Sequence, residues 1–253
     1  MTLTRLIRLA AELLYPPRCV LCQDIIPFHA PRGFCQKCRE NPDIIPEPFC
    51  PKCGAPIEYE GTCDGCERLA PRVFDLNRSV FAYKSPVSDS VHRMKYAGRS
   101  DYARAFGKLM AELMPGYFSR AEISFDAVVP VPLHESRLAE RGYNQAGLLA
   151  EEISKATGIP LVNLLTRVRH TEAQYNLNPS QRRANLAGAF VVNLGGDENI
   201  PYKNILLVDD IFTTGSTLNE CSAVLRNRGA AFVGTYTFSM AVRHHTVDKF
   251  SQI

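Results

Sequence analysis

Thirteen residues in the last quarter of the chain constrain its fold more than any other stretch: Ile205-Leu206-Leu207-Val208-Asp209-Asp210-Ile211-Phe212-Thr213-Thr214-Gly215-Ser216-Thr217. The four apolar residues read as a buried strand with two acids at its carboxyl end. A short hydroxyl-rich loop then leads into a helix predicted over Gly215 to Arg228. The first amides of a helix lack intrahelical partners, and the helix dipole is positive there, so the loop favours a phosphate. Carboxylates beside it accept hydrogen bonds from vicinal hydroxyls, so strand, acids and loop together suit a sugar phosphate. An ordinary N-cap at Thr213 or Thr214 would leave the rest of the run without a purpose. A nucleotide-hydrolase metal strand needs an upstream Gly-x-x-x-x-Gly-Lys-Ser/Thr loop. Gly107-Lys108 is followed by leucine and has the wrong spacing.

The flanking sequence repeats this strand-then-helix rhythm. Strands are predicted over Ser79 to Tyr83, Asp126 to Val131, Leu161 to Leu165, Ala189 to Val192, Asn204 to Asp209 and Ala231 to Met240. Helices are predicted over Val87 to Tyr96, Asp101 to Met114 and Gly142 to Thr157, the last ending at Gly158. Alternation at this spacing implies an α/β fold with a mainly parallel sheet flanked by helices. Arg167 to Gly188 breaks the rhythm: it is polar, basic and aperiodic. A loop of that length inside a compact domain is usually functional.

Before Arg72 the physics differs. Eight cysteines fall in four Cys-x-x-Cys turns, Cys19/Cys22, Cys35/Cys38, Cys50/Cys53 and Cys63/Cys66. One such turn places two thiolates on the same side of a tight loop, and two turns complete a tetrahedral metal site. In Cys50-Pro51-Lys52-Cys53-Gly54, proline presets the bend and glycine supplies a positive φ. Two structural zinc ions follow, with apparent binding energies on the order of 10–16 kcal/mol that become folding energy. Consecutive pairing of turns closes the shortest loops; interleaved pairing fits the spacing as well. Disulfides would need an oxidising compartment, and no secretion signal is legible. Closed four-cysteine sites leave no open position for water, which argues against catalytic zinc. Cys221, inside a predicted helix, reads as a small core residue. The composition shift divides the chain into an N-terminal helix plus zinc-binding module over residues 1–72 and an α/β domain over residues 73–253.

Net charge is +3, and the first 72 residues carry nine basic against nine acidic side chains. Neither figure suggests a phosphate-backbone clamp. Leu3, Leu6, Ile7, Ala10, Leu13 and Leu14 recur at helical spacing, reading as an amphipathic helix docked on the protein's own core. No run approaches the roughly 20 apolar residues of a membrane span, so the expectation is a cytoplasmic protein. Phe28, Phe34, Phe49 and Tyr59 are suited to stacking on unpaired bases; they are read here as filling the small zinc module.

The run from Ile205 to Thr217 matches throughout the phosphoribosyl pyrophosphate (PRPP) motif of type I phosphoribosyltransferases. With four Cys-x-x-Cys turns upstream, the chain resembles the ComF family of competence-associated proteins along nearly its whole length. Tyr15-Pro16-Pro17-Arg18-Cys19, Val129-Pro130-Val131-Pro132-Leu133-His134 and Arg141-Gly142-Tyr143-Asn144-Gln145 also look like that family. The resemblance implies a type I phosphoribosyltransferase fold behind a double zinc ribbon. It further implies ribose hydroxyls on Asp209 and Asp210, and the 5′-phosphate on Thr213, Thr214, Gly215, Ser216 and Thr217. Pyrophosphate would lie on the turn formed by Val131, Pro132, Leu133, His134 and Arg137, with magnesium bridging pyrophosphate and ribose oxygens.

The implied reaction displaces pyrophosphate from the anomeric carbon by a nitrogen nucleophile of unknown identity. The Arg167–Arg183 stretch, with Arg167, Arg169, Arg182 and Arg183 against Glu172, corresponds to a loop closing over the substrate. Arg169 and Gln174 are the residues picked from it for catalysis, beside Asp209 and Asp210. Lys95 and Arg99 read either as pyrophosphate contacts or as an exposed helix end. His134 and the His244-His245 pair read as surface residues. The competing reading is a non-catalytic PRPP-sensing adaptor whose zinc module contacts single-stranded DNA or competence proteins.

Overall fold

The computed structural model describes residues 12, 14–28, 30–40, 42–68, 72–118, 123–169, 186–194 and 198–242. Its centre is a parallel four-stranded sheet in the order β1-β6-β5-β2, with β1 Leu76–Ala82, β2 Ala127–Pro130, β5 Asn204–Phe212 and β6 Phe232–Met240. A separate antiparallel pair joins β3 (Leu165–Arg167) to β4 (Phe190–Val192). Two five-residue helices, α1 (Gln36–Glu40) and α2 (Asp64–Arg68), belong to the cysteine-rich segment. Then come α3 (Val87–Tyr96), α4 (Ser100–Phe118), α5 (Glu135–Arg141), α6 (Gln145–Thr157) and α7 (Ser216–Asn227).

The apolar run of β5 is buried throughout, as a central parallel strand must be when helices cover both faces. Leu206 and Val208 face a cluster with Val128, Tyr236 and Phe238 of the sheet, Phe106 and Met110 of α4, and Leu149 and Ile153 of α6. Ile205 and Leu207 face the other side, with Leu218, Cys221 and Leu225 of α7. Phe106 lies flat on Phe238, ring centroids 3.9 Å apart, and truncating such a residue to alanine costs about 3–5 kcal/mol. Cys221 is fully buried, the small core residue expected.

The cysteine-rich segment is built into this core. Cys19, Val20, Leu21 and Phe34 join the cluster around α3 and α4, whereas Ile45, Cys50 and Cys53 join the opposite one with Phe74. Between them the chain runs along the outer rim of β1: Ile45 N–H donates to Val80 O and Asn77 N–H to Lys52 O, each at 2.8 Å. Gly54 sits at φ +73°, and a Cβ there would lie 2.6 Å from Asn77 O. Only glycine combines that backbone with that approach. Asn77, wholly buried, donates to Cys53 O and Ser79 Oγ and accepts from Thr235 Oγ1.

Several boundaries differ from the sequence expectation. β5 continues through both acids to Phe212, because β6 keeps pairing with it as far as Met240. The strand expected at Leu161 to Leu165 begins only at Leu165; Leu161 makes a single bridge to Val128. Glu135–Arg141 is a helix, and none of its residues is buried, so no apolar period announces it. Among the described residues no helix is long and apolar enough to cross a membrane.

Candidate functional site: an acid pair, a loop and two thiolate clusters

The four cysteine turns pair consecutively: Cys19, Cys22, Cys35 and Cys38 form one group and Cys50, Cys53, Cys63 and Cys66 the other, ligand atoms within 4.8 Å of one another. Cys22 and Cys35 Sγ are 3.6 Å apart, and Cys53 and Cys63 Sγ 3.5 Å. A disulfide requires about 2.05 Å, whereas four sulfurs at about 2.3 Å from one zinc stand roughly 3.8 Å from each other. All these cysteines are free. Burial pushes the Cys38 and Cys66 thiols up to about 11, so four thiolates together need a cation at their centre. The donor sets fit structural zinc, and no donor position is left for catalysis.

At the carboxyl end of β5, pleating turns Asp209 and Asp210 to opposite faces of the sheet. Both nevertheless line one cavity of about 240 Å³, because it lies across the strand tips. Asp210 faces α3, where Lys95 Nζ approaches its Oδ2 to 2.9 Å; the two side chains are 15% and 12% exposed. Burial alone would lower the Lys95 ammonium, but Asp210 outweighs it and holds the group above its ordinary value. Burial pushes the Asp209 carboxyl up to about 7, and the Asp210 carboxylate acts in the same direction. The Asp210 N–H donating to Asp209 Oδ1 at 2.8 Å works against this, as do Lys95 and Arg167.

Beyond Phe212, Thr213-Thr214-Gly215 carries the chain into α7. Gly215 has φ +73°, and a Cβ there would lie 2.7 Å from Phe212 Cζ, so no other residue closes this turn without displacing the ring. Thr213 and Thr217 line the cavity. Thr214 Oγ1 lies 2.8 Å from Ser216 Oγ. Among the described residues the Gly215 N–H has no protein acceptor.

Lys95, Arg137, Arg141 and Arg167 surround the two acids, leaving an excess of positive charge for an anionic ligand. Arg141 is braced by Gln145 Oε1 at 3.2 Å and stacks on Tyr96. Asn144 Nδ2 donates to Val131 O at 3.0 Å and fixes the end of β2 against α6. Buried in the same wall, Asn144 Oδ1, Gln145 Nε2 and Arg141 Nε lack partners among the described residues.

Of the turn residues, Leu133 and Arg137 line the cavity. Val131 is held to β5 through its N–H, and Pro132 leads from it towards α5. His134 is the N-cap of α5, its Nδ1 accepting from Ser136 N at 3.3 Å. Arg169 turns to the Ala187 carbonyl (2.7 Å) and is not part of the cavity wall. Arg99 binds Asp101 and covers Tyr102, away from the site. Gln174, Glu172, Arg182, Arg183, His244 and His245 lie outside the described residues, as does the expected helix from Leu3 to Leu14 except for Glu12 and Leu14. Phe34 is buried and Phe49 packs against Tyr117, but Phe28 and Tyr59 are 54% and 76% exposed, which corrects the expectation that all four fill the module. In the cavity wall, Asn144 and Gln145 carry no sequence signal beyond family resemblance, and Tyr83 carries none beyond its place at the end of a predicted strand.

A parallel sheet with an acid pair and a hydroxyl loop at one strand tip, joined to two four-thiolate clusters, defines a phosphoribosyltransferase-fold protein with a double zinc ribbon. The chain matches the phosphoribosyl transferase domain family over residues 100–250 and the double zinc ribbon domain family over residues 10–67. Competence protein F of Haemophilus influenzae is 33% identical over 227 residues, covering 88% of this chain and 97% of that protein. Competence protein ComFC of Bacillus subtilis is 30% identical, covering 80% and 82%. DNA utilization protein YhgH of Escherichia coli K12 is 31% identical, covering 79% and 87%. The chain belongs to the ComF family of competence and DNA-utilisation proteins.

Proposed function

We propose that the protein binds PRPP at the tip of β5 and transfers its phosphoribosyl group to a nitrogen acceptor, in the cytoplasmic handling of DNA. The observation that carries this reading is the shared cavity of Asp209, Asp210, Thr213 and Thr217, ringed by four cationic side chains. The carboxylates accept from the ribose 2′- and 3′-hydroxyls, while the loop amides and the N-terminus of α7 take the 5′-phosphate. Arg137 and the turn before α5 face the pyrophosphate, whose departure with its charge is what the cations favour. Catalysis of this kind is positioning and charge stabilisation, with no covalent bond to the protein. Magnesium fits as a companion of the ligand: Asp209 offers it an oxygen, whereas Asp210 is engaged by Lys95. When bound, it would neutralise charge on the leaving group. Arg169 and Gln174 are assigned to loop closure over the bound sugar. The names of the relatives, competence and DNA utilisation, support the cellular setting.

Calorimetric titration of the zinc-loaded protein with PRPP and magnesium tests this reading. Binding is expected, and its loss in Asp209→Asn/Asp210→Asn; a wild-type protein that takes no heat would sink it. Pyrophosphate release across a panel of bases and amines then identifies the acceptor.

The exposure of Tyr15 (83%), Phe28 and Tyr59 favours a second role for the zinc module, stacking on unpaired bases of single-stranded DNA. In that adaptor reading PRPP is sensed rather than consumed. Fluorescence titration with an oligonucleotide at two salt concentrations separates the readings, since binding through phosphates must weaken with salt.

A further inference from the structure

Arg72 lies in residues 68–99, which neither family match covers, yet it reaches the loop before α7. Its guanidinium donates through Nη1 to the Thr214 carbonyl. It sits over the corner where Phe74 and Phe212 meet edge-on, 5.9 Å from the centroid of Phe74 and 5.8 Å from that of Phe212. The next residue is tied to α7 as well, Val73 N–H donating to Asn219 Oδ1 at 2.6 Å. Nη1 stands 3.1 Å from where a Gly215 Cβ would be, so glycine makes room for the guanidinium as well as for Phe212. Arg72 is absent from the cavity wall, whereas Thr213 and Thr217 are in it. The guanidinium therefore grips the loop from behind.

That grip has a stereochemical consequence. The peptide between Thr214 and Gly215 is planar and trans, so its C=O and its N–H point in opposite directions. A carbonyl drawn back towards Arg72 turns the Gly215 N–H away from Arg72, and this N–H is without a protein acceptor among the described residues.

We propose that Arg72 is a positioning residue for the phosphate cradle, fixing the Thr214–Gly215 peptide so that the Gly215 N–H points at the 5′-phosphate. The inference rests on the PRPP reading and deepens it. The connector from the cysteine-rich segment, not the phosphoribosyltransferase domain alone, completes the sugar-phosphate site. Arg72 touches neither the pyrophosphate nor the acceptor, so its influence is confined to the 5′ end of the ligand.

Two ligand fragments separate that influence from general damage: ribose 5-phosphate carries only the 5′-phosphate, and inorganic pyrophosphate carries only the diphosphate. Calorimetry on the zinc-loaded full chain should show Arg72→Gln binding ribose 5-phosphate about 10–100-fold more weakly, the value of one charge-assisted hydrogen bond. Pyrophosphate affinity should stay within about twofold, and millimolar methylguanidinium should restore ribose 5-phosphate binding to Arg72→Ala. Unchanged ribose 5-phosphate affinity, or equal loss of both ligands, overturns the proposal. Should neither variant fold, the Gly215 amide resonance of the unaltered protein decides: it must move on adding ribose 5-phosphate, and a stationary resonance overturns the assignment. Wild-type protein that binds neither fragment fails earlier, at the PRPP reading itself.

Discussion

Lys95, near the end of α3, places its ammonium 2.9 Å from the Asp210 carboxylate at the tip of β5, and both groups are largely withdrawn from water. Removing one partner of such a pair leaves the other buried and uncompensated, which costs far more than the pair contributes. Lys95→Met should therefore destabilise the protein by roughly 1–3 kcal/mol in denaturant unfolding, less than a fully buried pair because some exposure remains. Adding Asp210→Asn should return most of that loss. Additive effects of the two substitutions would show that the contact is energetically idle.

Asp209 gives a pH dependence of determinate sign. Its folded carboxyl titrates near 7, above the 3.8 of the free group, so between these values the folded state holds a proton that the unfolded state has lost. Stability from this site is greatest below about 4, declines as pH rises to about 7 and is level beyond, a span on the order of 2–4 kcal/mol. Asp209→Asn should flatten that part of the stability profile. Ligand affinity should run the opposite way, rising through pH 7, because ribose hydroxyls donate to the ionised form. Chemical denaturation and PRPP titration across pH 5 to 8, on the order of three pH units, check both.

Metal analysis should find two zinc ions per chain, one for each four-cysteine group. In the native protein a thiol reagent should find little to react with. A strong chelator should expose eight thiols, the ninth, Cys221, staying protected until α7 leaves the core. Eight slow-reacting thiols that ignore chelator would argue against the metal.

Gly54→Ala should be costly in spite of its small size. The position needs φ +73° and lies 2.6 Å from Asn77 O at Cβ, so the new methyl meets backbone on β1. The left-handed conformation alone costs about 1–2 kcal/mol, and the clash adds to it. Thermal unfolding of the variant, with zinc content as control, measures the sum.

Much of this architecture could be read from residues, because periodicity reports burial. Val87 to Tyr96 was expected to be helical and is α3, its buried Val87, Val91 and Met94 at helical spacing. The acid pair and its loop were legible because their types are unusual side by side. Charged α5, none of whose residues is buried, carried no apolar pattern, and its start depends on His134 acting as cap. Nor could spacing choose between ways of pairing the cysteine turns; the two faces of the sheet make that choice, one group docking on each. The pairings of Lys95 with Asp210 and of Arg72 with Thr214 were opaque for another reason: the partners are more than a hundred positions apart, and no local pattern encodes such meetings.

The hydrogen bonds from Ile45 and Asn77 along the rim of β1 have an outcome beyond stability. A parallel sheet ending in a bare strand offers its amides and carbonyls to any other chain that presents the same row. Here the metal-bearing loops occupy that row, so they act as a cap against polymerisation. Stripped of zinc at high concentration, the protein should form sheet-rich assemblies before it loses its helices, and a charged residue placed on that rim should delay them.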